Sequence, residues 1–490
     1  MRKVLAASLI SSLALAGCAV GPNYVAPKTP SSAAGAFVSA TPEAGSDAAP
    51  PDQWWRLYND PVLDRLVLEA LTENKDLKVA AANLAYEQAL VGEARAGLFP
   101  STSLTGGPTY GVSSADQTFA ELAHAINPSA AGNAPASVYS TFGFTASYEV
   151  DLFGRIRRTI EAAHASAQAS QAAEDAVRVA VAAQTAGAYA NVCTYGEAVN
   201  VAKHNVAVVQ HAYDLTATER QAGSASDLDI TRQAVLLDQA KAVVPTVEGQ
   251  RRSALFELAA LIGKTPAQVP RDAEACVTPP QVSQALPLGD GAALLRRRPD
   301  VREAERNLAA AVAKIGVSTA DLYPTVSLGG SVSGFGVTPA QLTSASGLSY
   351  GVGPLVNWTF PNILVARAHV KESSAQASAS LASFDSVVVQ ALKETEQALT
   401  TYAAELQHNA ATRAARDDAD KSFSLAKTLY QAGASSFLDL LTAEQTEVSA
   451  EQALAKSDQQ LAADQIAVFQ ALGGGWETAP AVSVPKIPRG

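Results

Sequence analysis

Two kinds of apolar spacing take turns along this chain, one of period two and one of period three to four. Over residues 102–113 the even positions after Thr102 are Leu104, Gly106, Pro108, Tyr110 and Val112, and every odd position is Ser, Thr or Gly. Phe142, Phe144, Ala146 and Tyr148 alternate in the same way with Gly143, Thr145, Ser147 and Glu149. So do Val326, Leu328, Gly330 and Val332 with small or polar residues, and then Leu348, Tyr350, Val352, Val356, Trp358 and Phe360. The alternation predicts strands over about 102–113, 141–150, 325–336 and 348–360. Segments of roughly 9 to 12 residues with one apolar and one small or polar face have the length of transmembrane β-strands. A soluble sandwich with one wet face would alternate likewise.

Elsewhere the period lengthens. A helical pattern starts at Trp54 and holds to Phe99, where Pro100 is a natural break. Val192, Tyr195, Val199, Ala202, Val206, Val209 and Tyr213 step by three and four, and Leu381, Phe384, Val388, Leu392, Thr395, Leu399, Tyr402 and Leu406 nearly repeat that seam. Sustained spacing of this kind, with Ala and Ser around it, predicts closely packed coiled-coil helices. An unbroken helix over 155–221 would reach about 100 Å, more than a compact domain needs and suited to crossing a periplasm. Gly223 and Gly433 read as helix C-caps, with Ser224 and Ala434 next in the turns. Each long run then folds back as a helical hairpin, over 155–263 and 362–472.

The two halves resemble each other residue by residue. Asp76 matches Asp300, Asn83-Leu84-Ala85 matches Asn307-Leu308-Ala309, and Pro100 to Leu104 matches Pro324 to Leu328 without a gap. Further on, Arg220 to Ile230 answers Tyr430 to Leu440. Two structural repeats are expected, at 53–265 and 288–473, with a Pro-rich linker at 266–287 and a loose tail at 474–490.

Composition narrows the setting. Arg2 and Lys3 precede a short apolar stretch that Leu15-Ala16-Gly17-Cys18 closes, which reads as an export signal over residues 1–17. The ending resembles the lipobox of bacterial lipoproteins, and that resemblance implies an acylated Cys18 at the mature N-terminus. No Asp follows Cys18 to suggest retention in the inner membrane. Residues 18–52, rich in Pro, Ala, Ser and Gly, read as a flexible tether. Forty-seven acidic against 36 basic residues, a formal charge of -11, argue against nucleic acid as a partner. Cys193 falls in a helical pattern and Cys276 in a Pro-rich loop; an oxidising compartment permits their pairing, and the expectation is two unpaired thiols.

Four strands cannot close a barrel, and an unpaired strand edge facing lipid costs several kcal/mol per amide. Copies must therefore share one barrel, and three copies give about twelve strands around a lumen lined by Gly, Ser and Thr.

Cys18 to Tyr24 (CAVGPNY), Tyr148 to Arg155 (YEVDLFGR), Arg297 to Glu305 (RRPDVREAE) and Tyr430 to Leu441 (YQAGASSFLDLL) together resemble the TolC-like outer membrane efflux protein family, in its lipoprotein subgroup serving RND-type pumps. The resemblance runs through nearly the whole chain. It implies an α+β membrane protein: a homotrimeric channel-tunnel whose shared 12-stranded β-barrel in outer membrane lipid continues as an α-helical barrel in the periplasm. A periplasmic adaptor and an inner membrane RND-type pump would be its partners, with the turns at Gly223, Ser224, Gly433 and Ala434 touching the adaptor. It also implies a periplasmic gate at Asp229 and Asp439, with Tyr430 helping to hold the closed state. Ser435 and Thr442 depart from members that carry Arg and Asp there, so fewer polar links are expected.

Read without the resemblance, Ser226 to Asp229 and Ser436 to Asp439 are each Ser-x-x-Asp, a variant of the capping box. Capping and a gate role are compatible, because threefold symmetry would gather the capping carboxylates around one axis. Asp151 and Arg155 flank Gly154 at a strand-to-helix corner and suit a structural role, while Phe153, Trp358 and Phe360 fit an interfacial aromatic belt. His204 and His211 lie about 10 Å apart along a helix, too far to share a metal ion. No phosphate loop, dinucleotide fingerprint or CxxC pair occurs, so no catalytic, cofactor or metal residue is assigned. The expected function is a passive exit duct for small toxic compounds in a tripartite efflux system. Its alternatives are the duct of a type I protein secretion system and a non-conducting coiled-coil lipoprotein scaffold.

Overall fold

Asp60 and Pro61 start the first long helix: the Asp60 carboxylate accepts hydrogen bonds from the backbone of Val62 and Leu63, at 2.8 and 3.1 Å, and proline at the first helical position has no N–H to waste. The computed structural model describes residues 19–28, 33–282, 284–342, 344–345, 347–358 and 363–487. Cys18, the signal segment before it and Phe360 lie outside them. In chain order the main elements are β1 (Gly45–Ser46), α1 (Pro61–Glu73), α2 (Lys75–Ala96), β2 (Ser101–Gly111), α3 (Ser114–Ile126), β3 (Ser137–Val150), α4 (Arg155–Gln221), α5 (Asp227–Leu261), β4 (Leu286–Pro287), α6 (Gly291–Arg297), α7 (Pro299–Ala320), β5 (Thr325–Gly336), β6 (Leu348–Asn357), α8 (Ile363–Gln431) and α9 (Phe437–Ala471). Lengths run in parallel: 22 residues in α2 and in α7, 67 and 69 in α4 and α8, 35 in α5 and in α9. Among the described residues no helix is long and apolar enough to cross a membrane.

The chain divides into two compact units. The first comprises the described part of Met1–Ala26 with Glu87–Ala167 and Asn307–Leu381. It holds an antiparallel sheet in the order β2-β3-β5-β6. Directly paired residues on neighbouring strands point to the same face, so register reveals what each face is made of. Leu104 pairs with Phe144, Phe144 with Val332, and Val332 with Tyr350. The adjacent row runs Ser103, Thr145, Ser331, Gly351. One face is thus mostly apolar and open to the outside, with Leu104, Tyr350 and Val352 at least three-quarters exposed, and the other is small and polar apart from Tyr139, Phe335 and Leu355. Among the described residues each outer strand, β2 and β6, has a partner on one side only.

At the end of β3, Asp151 accepts hydrogen bonds from the backbone of Ile156 and Arg157, at 3.1 and 3.0 Å, and so satisfies the start of α4. Arg155 pairs with Glu149, and Phe153 stacks on Tyr323 at 4.5 Å.

The second unit, the described parts of Pro27–Tyr86, Gln168–Arg306 and Ala382–Gly490, is helical apart from the short strands β1 and β4. Its core gathers Trp54, Trp55, Leu66, Leu258, Ile262 and Phe469, with Trp54 stacked on Phe469 at 4.8 Å. Arg297 and Arg298 clasp the end of α9: they donate to the carbonyls of Leu472 and Ala471 at 2.7 and 2.9 Å, placing two cations at a helix C-terminus. Arg298 also bridges Asp300 and Glu394.

Two sequence expectations change here. Cys193 and Cys276 are not free thiols but form a disulfide, with Cα atoms 4.8 Å apart. Gly196, one turn further along α4, permits the approach, since a Cβ there would collide with the Cys276 carbonyl. Arg251 of α5 donates to that carbonyl at 3.0 Å. The second change concerns the tether, whose described residues are held against the fold. In the first unit, Val20 donates to the Phe153 carbonyl and Arg158 to Asn23, at 3.1 and 2.8 Å. In the second, β1 pairs with β4, and Glu396 accepts from the backbone of Val38 and Ser39, each at 2.8 Å. Backbone groups of an aperiodic segment find partners that apolar spacing does not report.

Candidate functional site

The two helical turns of the second unit are built alike. Before the first turn, Gly223 donates to the Arg220 carbonyl and Ser224 to that of Glu219, at 3.0 and 2.9 Å. In the second turn, Gly433 donates to Tyr430 and Ala434 to Leu429, at 2.9 and 2.8 Å. This pairing of a short and a long backbone bond is the Schellman ending, which needs a left-handed residue, and Gly223 and Gly433 supply it with φ of 81° and 70°.

The next helices start on reciprocal caps. Ser226 Oγ accepts from the Asp229 backbone at 3.3 Å, while Asp229 accepts from the Ser226 backbone at 3.0 Å. Ser436 and Asp439 repeat the arrangement at 3.2 and 3.0 Å. Hydrogen bonds from the serine side chain and backbone hold each aspartate below the usual carboxylate range. Capping is therefore the local job of both residues, and their carboxylates remain at the surface.

Across each turn, equivalent positions meet by different chemistry. Arg220 forms an ion pair with Asp227 at the first turn. At the second, Tyr430 meets Phe437 with ring centroids 5.9 Å apart. Tyr430 makes a further link that sequence reasoning missed: its hydroxyl donates to Glu219 at the end of α4. Burial, then this contact with Glu219, pushes the Tyr430 hydroxyl up to about 12, so it stays a donor at neutral pH. The available signal was position, because Glu219 directly precedes Arg220, the residue that matches Tyr430.

A cavity of about 500 Å³ is lined by Glu219, Ser224, Asp229, Tyr430, Ser436 and Phe437, among others. It brings Asp229, Tyr430 and one turn residue together, while Asp439, Gly223, Gly433 and Ala434 are not part of its wall. Among the described residues no cluster of three or more His, Cys, Asp or Glu side chains is arranged to hold a metal ion.

A sheet with one apolar and one small polar face, in a chain that also forms two helical hairpins, is the build of an outer membrane channel. Residues 66–264 and 292–474 match the family described as outer membrane efflux protein, and the chain belongs to that family, one of ducts and not of enzymes. It is similar to the antibiotic efflux pump outer membrane protein ArpC of Pseudomonas putida, 29% identical across 97% of this chain and 96% of that one. Nodulation protein T of Rhizobium leguminosarum bv. viciae is also 29% identical, across 98% of this chain and 95% of its own. Among solved structures, the outer-membrane channel OprN superposes with a TM-score of 0.84 at 31% identity, covering 94% of this chain and all of that one.

Proposed function

We propose that the protein is the exit duct of a tripartite efflux system, through which small toxic compounds leave without chemical change. The observation that carries this reading is the sheet register, which gathers most apolar residues on one face and, Tyr139, Phe335 and Leu355 apart, Ser, Thr and Gly on the other, while among the described residues each outer strand keeps one side unpaired. Apolar outside and small polar inside is the pattern of a water-filled barrel in lipid, and unpaired edges in lipid require further copies. Three copies close a 12-stranded barrel. The paired element lengths support two structural repeats, 53–265 and 288–473, joined by 266–287, so that three chains present six similar helical hairpins. An acylated Cys18 would anchor each chain to outer membrane lipid.

The hairpin turns form the periplasmic mouth in this reading, with Asp229, Asp439 and Tyr430 at the gate. Gly223, Ser224, Gly433 and Ala434 meet a periplasmic adaptor that connects to an RND-type inner membrane pump. Replacing both aspartates, Asp229→Ala with Asp439→Ala, should raise single-channel conductance in planar bilayers and weaken cation preference, because carboxylates ringed at a mouth favour cations. Unchanged conductance and selectivity would remove both residues from the gate.

A further inference from the structure

About two turns along α9 from its cap, Glu444 is buried to 4% exposure, and its Oε1 has no hydrogen-bond partner among the described residues. It lines two cavities. The smaller, about 370 Å³, is bounded by α4, α5 and α9, and Asn205 Oδ1 and both polar ends of the Gln233 amide also lie there without a protein partner. The larger, about 870 Å³, is bounded by α4, α8 and α9 and includes Tyr430 in its wall. A carboxyl in the seam between helices, beside the tyrosine that links α8 to α4, is costly to ionise unless water can enter.

We propose that Glu444 is a positioning residue of the gate: protonated, it lets α9 pack against α4 and α5, and ionised, it separates α9 from them and loosens the tip. This rests on the reading of the turns as the periplasmic mouth. The groups facing Glu444 are Glu447 from α9, Lys427 from α8, and His204, His211 and Glu219 from α4, while α5 presents only uncharged residues to the seam. Burial, then repulsion from Glu447, pushes the Glu444 carboxyl up to about 7, and Lys427 acts in the opposite sense. A raised carboxyl contributes to the closed packing while it is protonated, and that contribution is lost as pH rises through about 7. The proton leaves to water, and the charge left behind favours whichever arrangement hydrates it. Opening should therefore increase from acid toward alkaline pH.

The test is conductance of the full-length protein in planar bilayers between about pH 5.5 and 8.5. Wild type should pass more current as pH rises, with a midpoint near 7. Glu444→Gln, which keeps the shape and loses the proton, should stay low and flat. Lys427→Met removes the nearby cation and should move the midpoint to higher pH, which keeps the test available even if the glutamine variant fails to insert. A Glu444→Gln profile that follows wild type, or a Lys427→Met midpoint that stays put or falls, overturns the inference and leaves the gate reading untouched. Tyr430→Phe at acid pH checks that reading separately: conductance equal to wild type would sink the gate assignment and this inference with it.

Discussion

Tyr430 shows how much one hydroxyl can do where two long helices end. Its bond to Glu219 ties α8 to α4, and Phe437 supports its ring from across the turn. Tyr430→Phe keeps the ring and removes only the donor, at a local cost of about 1.5–3 kcal/mol for a hydrogen bond to a carboxylate. We expect higher single-channel conductance at neutral pH with unchanged overall melting, read by bilayer recording and calorimetry on the same preparation. Residues in this site were legible to different degrees. Asp229 and Asp439 declare themselves by Ser-x-x-Asp after a glycine, because capping is local. Glu219 does not, because its partner lies 211 positions away and nothing local sets it apart from Glu161, Glu174 and Glu197 of the same helix. Glu444 is equally hidden, since burial of a carboxyl depends on which helices cross over it.

The elements themselves were largely written in periodicity. Alternation of apolar with Ser, Thr or Gly marks β2, β3, β5 and β6 because each face of a strand meets a single environment. The seams of three and four mark α4 and α8 for the same reason. What periodicity hides is contact between an element and an aperiodic segment. Cys193 and Cys276 show this: 83 positions separate them, and spacing carries no information on proximity. Helix α3 is a different case: its signal, Phe119, Leu122 and Ile126 in helical spacing, is present but short and lies inside a loop between two strands. The disulfide closes a long loop between α4 and the linker, so Cys276→Ser should cost roughly 2–4 kcal/mol of stability. Thermal unfolding with and without reductant measures it: the variant should melt lower than oxidised wild type and be indifferent to reductant.

For the whole molecule, the decisive property is which face of the sheet meets lipid. Val352 lies in the row Thr102, Ala146, Gly330, Val352, and Ser331 lies in the opposite row. An arginine on a lipid-facing strand costs about 2–4 kcal/mol near the midplane, whereas one facing a wet lumen is tolerated and alters passage. Val352→Arg should abolish detergent-stable trimers in native mass spectrometry. Ser331→Arg should leave the trimer intact and lower its cation conductance. Equal failure of the two variants would reverse or void the assignment of faces. Alternation within one strand distinguishes two faces; the four registers read together show that the strands share them.

The unlike contacts across the two turns also bear on where such a protein can work. Arg220 and Asp227 form an exposed ion pair, which dissolved salt weakens, whereas the contact between Tyr430 and Phe437 is indifferent to it. In the proposed ring of three chains, brine would thus weaken the link at every second hairpin turn and spare those between, so the salinity of the habitat would become a setting on the width of the proposed mouth.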